Sequence, residues 1–119
     1  MDFAFETTLA TKTYTQFIKD AQDKGYFVTL LYFWLNSVDL AIERVKSRVA
    51  SGGHDIPIDV IKRRYIAGMD NLSRLYLPIS DYWMIIDNSK APFQIISEGF
   101  KMTNIEIYNQ EIYNKIVKV

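Results

Sequence analysis

The chain has 119 residues, 49% apolar and 14% aromatic, enough to bury one modest core and no more than one domain, residues 1–119. Its 14 basic and 14 acidic residues cancel to a formal charge of zero, which argues against a bulk nucleic-acid binder and leaves polyanion binding to local clusters. It has no cysteine, so disulfides, thiolate chemistry and cysteine metal sites are excluded, and a reducing, cytoplasmic setting is the default expectation.

The first residues, Met1-Asp2-Phe3-Ala4-Phe5-Glu6, are acidic rather than basic-then-apolar, and no apolar run approaches the roughly 20 residues that span a bilayer. A soluble chain with no membrane partner is expected. Residues 2–6 read as a short strand that opens at Glu6 into the polar pair Thr7-Thr8. From Thr13, the spacing of Tyr14, Phe17, Ile18 and Ala21 follows the helical period until Gly25. The stretch from Phe27 to Leu35 is β-branched and aromatic with hardly a polar break, the signature of a strand covered on both faces in a parallel sheet.

Asn36 or Ser37 can cap the next helix, which carries Val38, Ile42, Val45 and Val49 on its inner stripe and ends at Gly52-Gly53. Pro57 suits the first turn of a long helix through Val60, Ile61, Tyr65, Met69, Leu72 and Leu75, stopped by Pro78. Tyr82–Ile86 reads as a buried strand before an Asp87-Asn88-Ser89 turn, Phe93–Ser97 as a further short strand, and Ile105, Tyr108, Ile112 and Ile116 as a terminal amphipathic helix. The order β-α-β-α-α-β-β-α describes one α/β unit without internal repeats.

Two clusters of cations flank the glycine pair: Arg44, Lys46 and Arg48 before it, Lys62, Arg63 and Arg64 after it. Two basic helices joined by a glycine hinge suit closure on an oligophosphate, because guanidinium grips phosphate oxygens bidentately and keeps its charge. Arg44 and Arg48 are four apart and share a face. Adjacent helical residues diverge by about 100°, so one of Arg63 and Arg64 is expected to face outward. Arg44 and Lys62 read as solvated. His54 has no second histidine or cysteine to form a metal site and reads as a turn or packing residue.

An ordered set of strings spans nearly the whole chain: Phe5-Glu6-Thr7-Thr8-Leu9; Gly25-Tyr26; the apolar strand ending Trp34-Leu35; Glu43-Arg44-Val45 with Arg48-Val49; Gly52-Gly53-His54-Asp55-Ile56-Pro57; Val60-Ile61 with Arg63-Arg64-Tyr65; Asn71-Leu72 with Leu75-Tyr76; and Asp87-Asn88-Ser89. In this order they resemble the zeta-toxin-like P-loop kinases, also called predicted ABC-type ATPases. The resemblance implies a P-loop kinase-like parallel sheet flanked by helices, ATP and Mg²⁺ as cofactors, transfer of a phosphoryl group to a small-molecule hydroxyl such as that of a nucleotide sugar, and an antitoxin as a possible partner. It implies that Glu6 and Thr8 contact the hydroxylated substrate, that Arg48, Arg63 and Arg64 belong to a lid that brings arginines onto the triphosphate, with Arg48 first among them, and that Asn88 and Ser89 contact the nucleotide.

One part of the family pattern is missing. No Gly-x-x-x-x-Gly-Lys-Ser/Thr string occurs among the five glycines, Gly25, Gly52, Gly53, Gly68 and Gly99. Family members place a strand, that Walker A loop, a helix and an acidic general base ahead of the segment matching Phe5–Thr8. In the resembled fold the missing strand lies between those at Phe3–Phe5 and Phe27–Leu35, so this chain is expected either to close that gap or to leave two buried edges open. The expectation is therefore a fragment, the substrate-and-lid portion of a kinase, inactive without its other half. The alternatives are a non-catalytic module that binds an antitoxin, a second chain or itself, and a small nucleic-acid binder using Lys62, Arg63 and Arg64, which the neutral balance disfavours.

Overall fold

The sheet is assembled around Phe27–Trp34 (β2), whose aromatic and β-branched residues suit a pleated surface. A computed structural model describes residues 2–5 and 9–117, with side chains from residue 9 onward. On one side β2 pairs in parallel with Asp2–Phe5 (β1), from Asp2 opposite Phe27 to Phe5 opposite Leu30. On the other it pairs in parallel with Tyr82–Asp87 (β3), from Thr29 opposite Tyr82 to Trp34 opposite Asp87. Gln94–Phe100 (β4) and Thr103–Ile107 (β5) extend the sheet with antiparallel pairing, giving the order β1-β2-β3-β4-β5. The chain is thus α/β, with a mixed sheet whose β1-β2-β3 half is parallel and whose connecting helices pack on one face.

The gap beside β2 is closed, the first of the two expected outcomes: β1 pairs directly with it, so β1 and β5 are the edges. Three other expectations need correction. The strand expected at 93–97 runs Gln94–Phe100. The terminal helix is only Gln110–Ile116 (α4), because Thr103, Ile105 and Ile107 obey the strand period as well as Ile105 fits the helical one. The Asn109 side chain fixes that boundary by accepting from the Ile112 N–H at 3.0 Å, a cap contributing about 1 kcal/mol. The third correction concerns β2, which is fully covered on one face only, its other face being half-buried or exposed.

Connection handedness explains that last point. The path from β1 through Thr13–Asp23 (α1) to β2, then through Val38–Ala50 (α2) and Ile58–Asn71 (α3) to β3, steps the same way across the sheet each time. Right-handed crossovers therefore place the connecting helices on the same face. There Ile18 and Ala21 of α1, Leu72 and Tyr76 after α3, and Ile116 of α4 pack on Val28, Leu30, Tyr32, Trp34, Trp83 and Ile85. Phe27, Thr29, Leu31 and Phe33 share the opposite face with Tyr82, Met84 and Ile86, and all but Ile86 keep some exposure.

The helix α3 does not simply run on to Pro78. It passes into a π-helical turn, Leu72–Tyr76, closed by the Leu77 N–H on the Leu72 carbonyl at 2.9 Å. That turn drives Leu72, Tyr76 and Leu77 into the core. The Tyr76 hydroxyl donates to the Thr11 carbonyl at 2.5 Å, and the Asn71 amide donates to the Leu9 carbonyl at 2.8 Å, so the loop before α1 is tied to this turn. At the amino ends of the strands, Asp81 Oδ2 accepts from the Val28 N–H at 2.8 Å and from Gln22 at 3.1 Å, joining β2, α1 and the approach to β3.

Candidate functional site

The site forms where α2 and α3 meet the carboxyl ends of β2 and β3, the usual ligand edge of an open α/β sheet. Ser37 caps α2, its hydroxyl accepting from the Leu40 N–H at 3.2 Å. The helix ends where Gly52 takes a φ of +98° and Gly53 N–H donates to the Arg48 carbonyl at 2.7 Å. A Cβ on Gly53 would stand 2.9 Å from that carbonyl oxygen, so the chain can turn this tightly on Arg48 only with glycine there. Pro57, with ψ at 143°, then leads into α3.

Between the helices and the strand ends lies a cavity of about 420 Å³, in the range of small-molecule sites. Val45 and Ile61 supply apolar wall, with Tyr32, Phe33 and Tyr65 as its aromatic part. Arg44, Arg48 and Arg64 also line it, and among the described residues no Asp or Glu does. Among the described residues the ion pairs are Arg74–Asp70 and Lys115–Glu111, both elsewhere, so no described carboxylate pairs with the three cavity arginines. Burial raises the Tyr32 phenol well above its ordinary range, reinforced by Tyr65. Tyr65 is raised too, chiefly by burial and partly offset by the nearby Trp34 indole, whose N–H finds no partner of good hydrogen-bond geometry among the described residues. Both phenols stay neutral and cancel none of the arginine charge. Tyr65 donates to the Leu35 carbonyl at 2.6 Å, which ties α3 to the end of β2.

Arg48 and Arg64 are brought together in this cavity, both exposed, whereas Arg63 is exposed outside its lining. His54 is exposed and does not line it. Glu6 and Thr8 lie outside the described residues. Asn88 and Ser89 follow β3, and their carbonyls accept from Nη2 of Arg44 at 2.7 Å and 3.2 Å. Arg44 is therefore no solvated face residue: it is half-buried and lines the cavity. Its position four residues before Arg48 was the available signal, and only the packing of α2 against the turn after β3 shows which way that shared face points.

The Asp87–Ser89 turn is itself fixed. Asn88 N–H donates to the Trp34 carbonyl at 2.8 Å, Asn36 N–H donates to Ser89 Oγ at 2.8 Å, and Asp87 Oδ1 accepts from the Ser89 N–H at 2.9 Å. The carboxyl ends of β2 and β3 thus form one rigid wall. Among the described residues there is no group of three or more His, Cys, Asp or Glu side chains placed to hold a metal ion. No described helix is long and apolar enough to cross a membrane.

The family model for Zeta toxin matches residues 1–109. An uncharacterized protein of Haemophilus influenzae (strain ATCC 51907 / DSM 11121 / KW20 / Rd) is 41% identical over 63 residues, which cover 53% of this chain and 45% of that protein, so the match spans less than half of the relative's length. No solved structure matches.

Proposed function

The chain belongs to the zeta toxin family, and from that premise we propose that it supplies, as one domain, the lid-and-substrate portion of an ATP-dependent kinase acting in the cytoplasm. The intact machinery would transfer the γ-phosphoryl group of ATP to a hydroxyl of a small molecule, a nucleotide sugar being the favoured class. The observation that carries this reading is the cavity at the strand ends with three arginines and, among the described residues, no carboxylate in its lining. Phosphoryl transfer depends on positioning and on neutralising phosphate charge, and guanidinium groups do both. In this reading Arg48 and Arg64 contact the phosphates from the lid, Arg63 joins them only if α3 rotates, Asn88 and Ser89 flank the nucleotide, and Glu6 and Thr8 orient the substrate hydroxyl.

The arginine set fits the phosphates of ATP. Mg²⁺ is a different matter, because the described residues offer it no cluster of carboxylates, and it would be held chiefly through the phosphates themselves. The sequence also contains no Gly-x-x-x-x-Gly-Lys-Ser/Thr loop to cradle the β- and γ-phosphates. The chain alone is therefore expected to show no Mg²⁺-dependent ATP hydrolysis. Mixed with a separately supplied Walker A segment, it is expected to bind ATP, and Arg48→Ala is expected to weaken that binding on the order of tenfold. A folded mixture that titration calorimetry finds unable to bind ATP would overturn the reading.

A second reading, a non-catalytic module held by an antitoxin or by another copy of itself, draws support from the incompletely covered sheet face that carries Phe27, at 40% exposure, Leu31 and Met84. Family membership also favours an antitoxin as the partner.

A further inference from the structure

The three cavity arginines differ in how they are held. Arg48 and Arg64 are exposed and, among the described residues, make no ion pair or side-chain hydrogen bond. Arg44 is half-buried, and its Nη2 donates to two backbone carbonyls, Asn88 at 2.7 Å and Ser89 at 3.2 Å. Those carbonyls belong to the turn pinned to Trp34 and Asn36 at the end of β2. A guanidinium carries five N–H donors. Two on Arg44 are used in this way, and the three on Nε and Nη1 have no acceptor among the described residues although the side chain lines the cavity.

What holds Arg44 matters as much as the fact that it is held. A carboxylate would fix the guanidinium and cancel its charge together. A carbonyl fixes it and leaves the full charge available. Arg44 has therefore lost part of its side-chain freedom before any ligand arrives, so an anion bound there costs less ordering than one bound by Arg48 or Arg64. Three arginines without a carboxylate partner among the described residues also exceed what one monoanionic group can neutralise.

We propose that Arg44 is the fixed anchor of a three-arginine site for a di- or triphosphate: it takes one phosphate group against the turn after β3, and Arg48 and Arg64 close over the rest of the chain of phosphates. The inference rests on the phosphate-site reading given above and adds to it a division of labour, one immobile arginine and two mobile ones. It also makes Arg44 the residue that links occupancy of the cavity to the position of α2, since the same guanidinium would touch both the ligand and the wall.

Calorimetric titration of the full chain with orthophosphate, pyrophosphate and tripolyphosphate tests this without needing turnover. The wild-type chain is expected to bind tripolyphosphate more tightly than orthophosphate. Arg44→Ala is expected to lower tripolyphosphate affinity at least about tenfold and orthophosphate affinity less than about threefold, because a single phosphate can be served by the other two arginines. Arg44→Lys should not restore the difference: an ammonium has no planar fork with which to hold two carbonyls and an anion at once. If Arg44→Ala does not stay folded at the working temperature, Arg44→Lys, which keeps the stem and the charge, carries the same test.

A merely structural role would reduce the competent fraction of the protein and weaken every anion by one factor, leaving the ratio of tripolyphosphate to orthophosphate affinity unchanged. That result would overturn the anchor role. Arg44→Ala binding like wild type while Arg48→Ala and Arg64→Ala lose tripolyphosphate would also overturn it and would leave the phosphate site standing. Wild-type chain that binds no tripolyphosphate, or binds it equally well after all three substitutions, would remove both the anchor and the site.

Discussion

Along β2 the residues Val28, Leu30, Tyr32 and Trp34 are at most 6% exposed, while Phe27 between the same strands is 40% exposed and Thr29, Leu31 and Phe33 are half-buried. Both sets are largely apolar, so composition does not separate the two faces of the sheet. What separates them is the route of the chain: every crossover advances in one direction, and right-handed connections stack the helices on one side. The lesson is that an apolar run reports what a strand can bury and not what the same chain supplies to bury it. The second face is built like an interior and left as a surface, which is what makes an added partner physically reasonable.

If the two faces differ as described, substitutions on them should differ in cost. The largest effect is expected at Trp83, fully buried on the covered face, with its indole N–H donating to the Lys101 carbonyl at 2.5 Å. Gly99 opposite it leaves room for the ring, since a Cβ there would stand 2.8 Å from Trp83 Cζ2. Trp83→Ala should cost about 3–5 kcal/mol in denaturant unfolding. A loss under about 1 kcal/mol would mean that the core is not where it is described.

The neighbours Leu30 and Leu31 give the direct comparison, being the same residue one position apart on opposite faces. Leu30→Ala is expected to cost about 2–5 kcal/mol. Leu31→Ala on the isolated monomer should cost under about 1 kcal/mol, because less area returns to water. Sedimentation adds a second measurement: if copies associate through the second face, Leu31→Lys should remove any concentration-dependent dimer and leave the monomer folded. Equal costs at the two leucines would erase the distinction between the faces.

Much of this arrangement is legible in the residues themselves. The existence of β2, the Ser37 cap, the turn at Gly52-Gly53 and the start of α3 after Pro57 all follow from local chemistry that acts within a few residues. Other features depend on contacts far apart in the chain. Ile105 satisfies both periods, and its membership of β5 is decided by pairing with β4; Arg44 looks like any exposed helical arginine until the turn at 87–89 is brought against it. The pairing of β1 with β2 belongs to the same class, since neither strand's sequence names its neighbour.

The smallest expected effect lies where the second face turns polar. Tyr82 donates to Glu98 Oε1 at 3.0 Å, and Tyr108 donates to the other oxygen, Oε2, at 3.0 Å. Desolvation first, then the bond to Glu98 and its charge, push the Tyr82 pKa up to about 12 from 10.0, and Tyr108 moves the same way, led by its bond to Glu98. A phenol raised on folding stabilises the folded state fully below the unfolded value and loses that contribution as pH rises through the folded value. The contribution should therefore be complete below about pH 10 and fade through about pH 12. Tyr82→Phe removes the titrating group, so the difference in melting temperature between it and wild type should be constant up to about pH 10 and shrink or reverse above it. A difference that stays flat to pH 12 would show that Tyr82 and Glu98 do not hold each other on this face, and that the second face is solvated throughout.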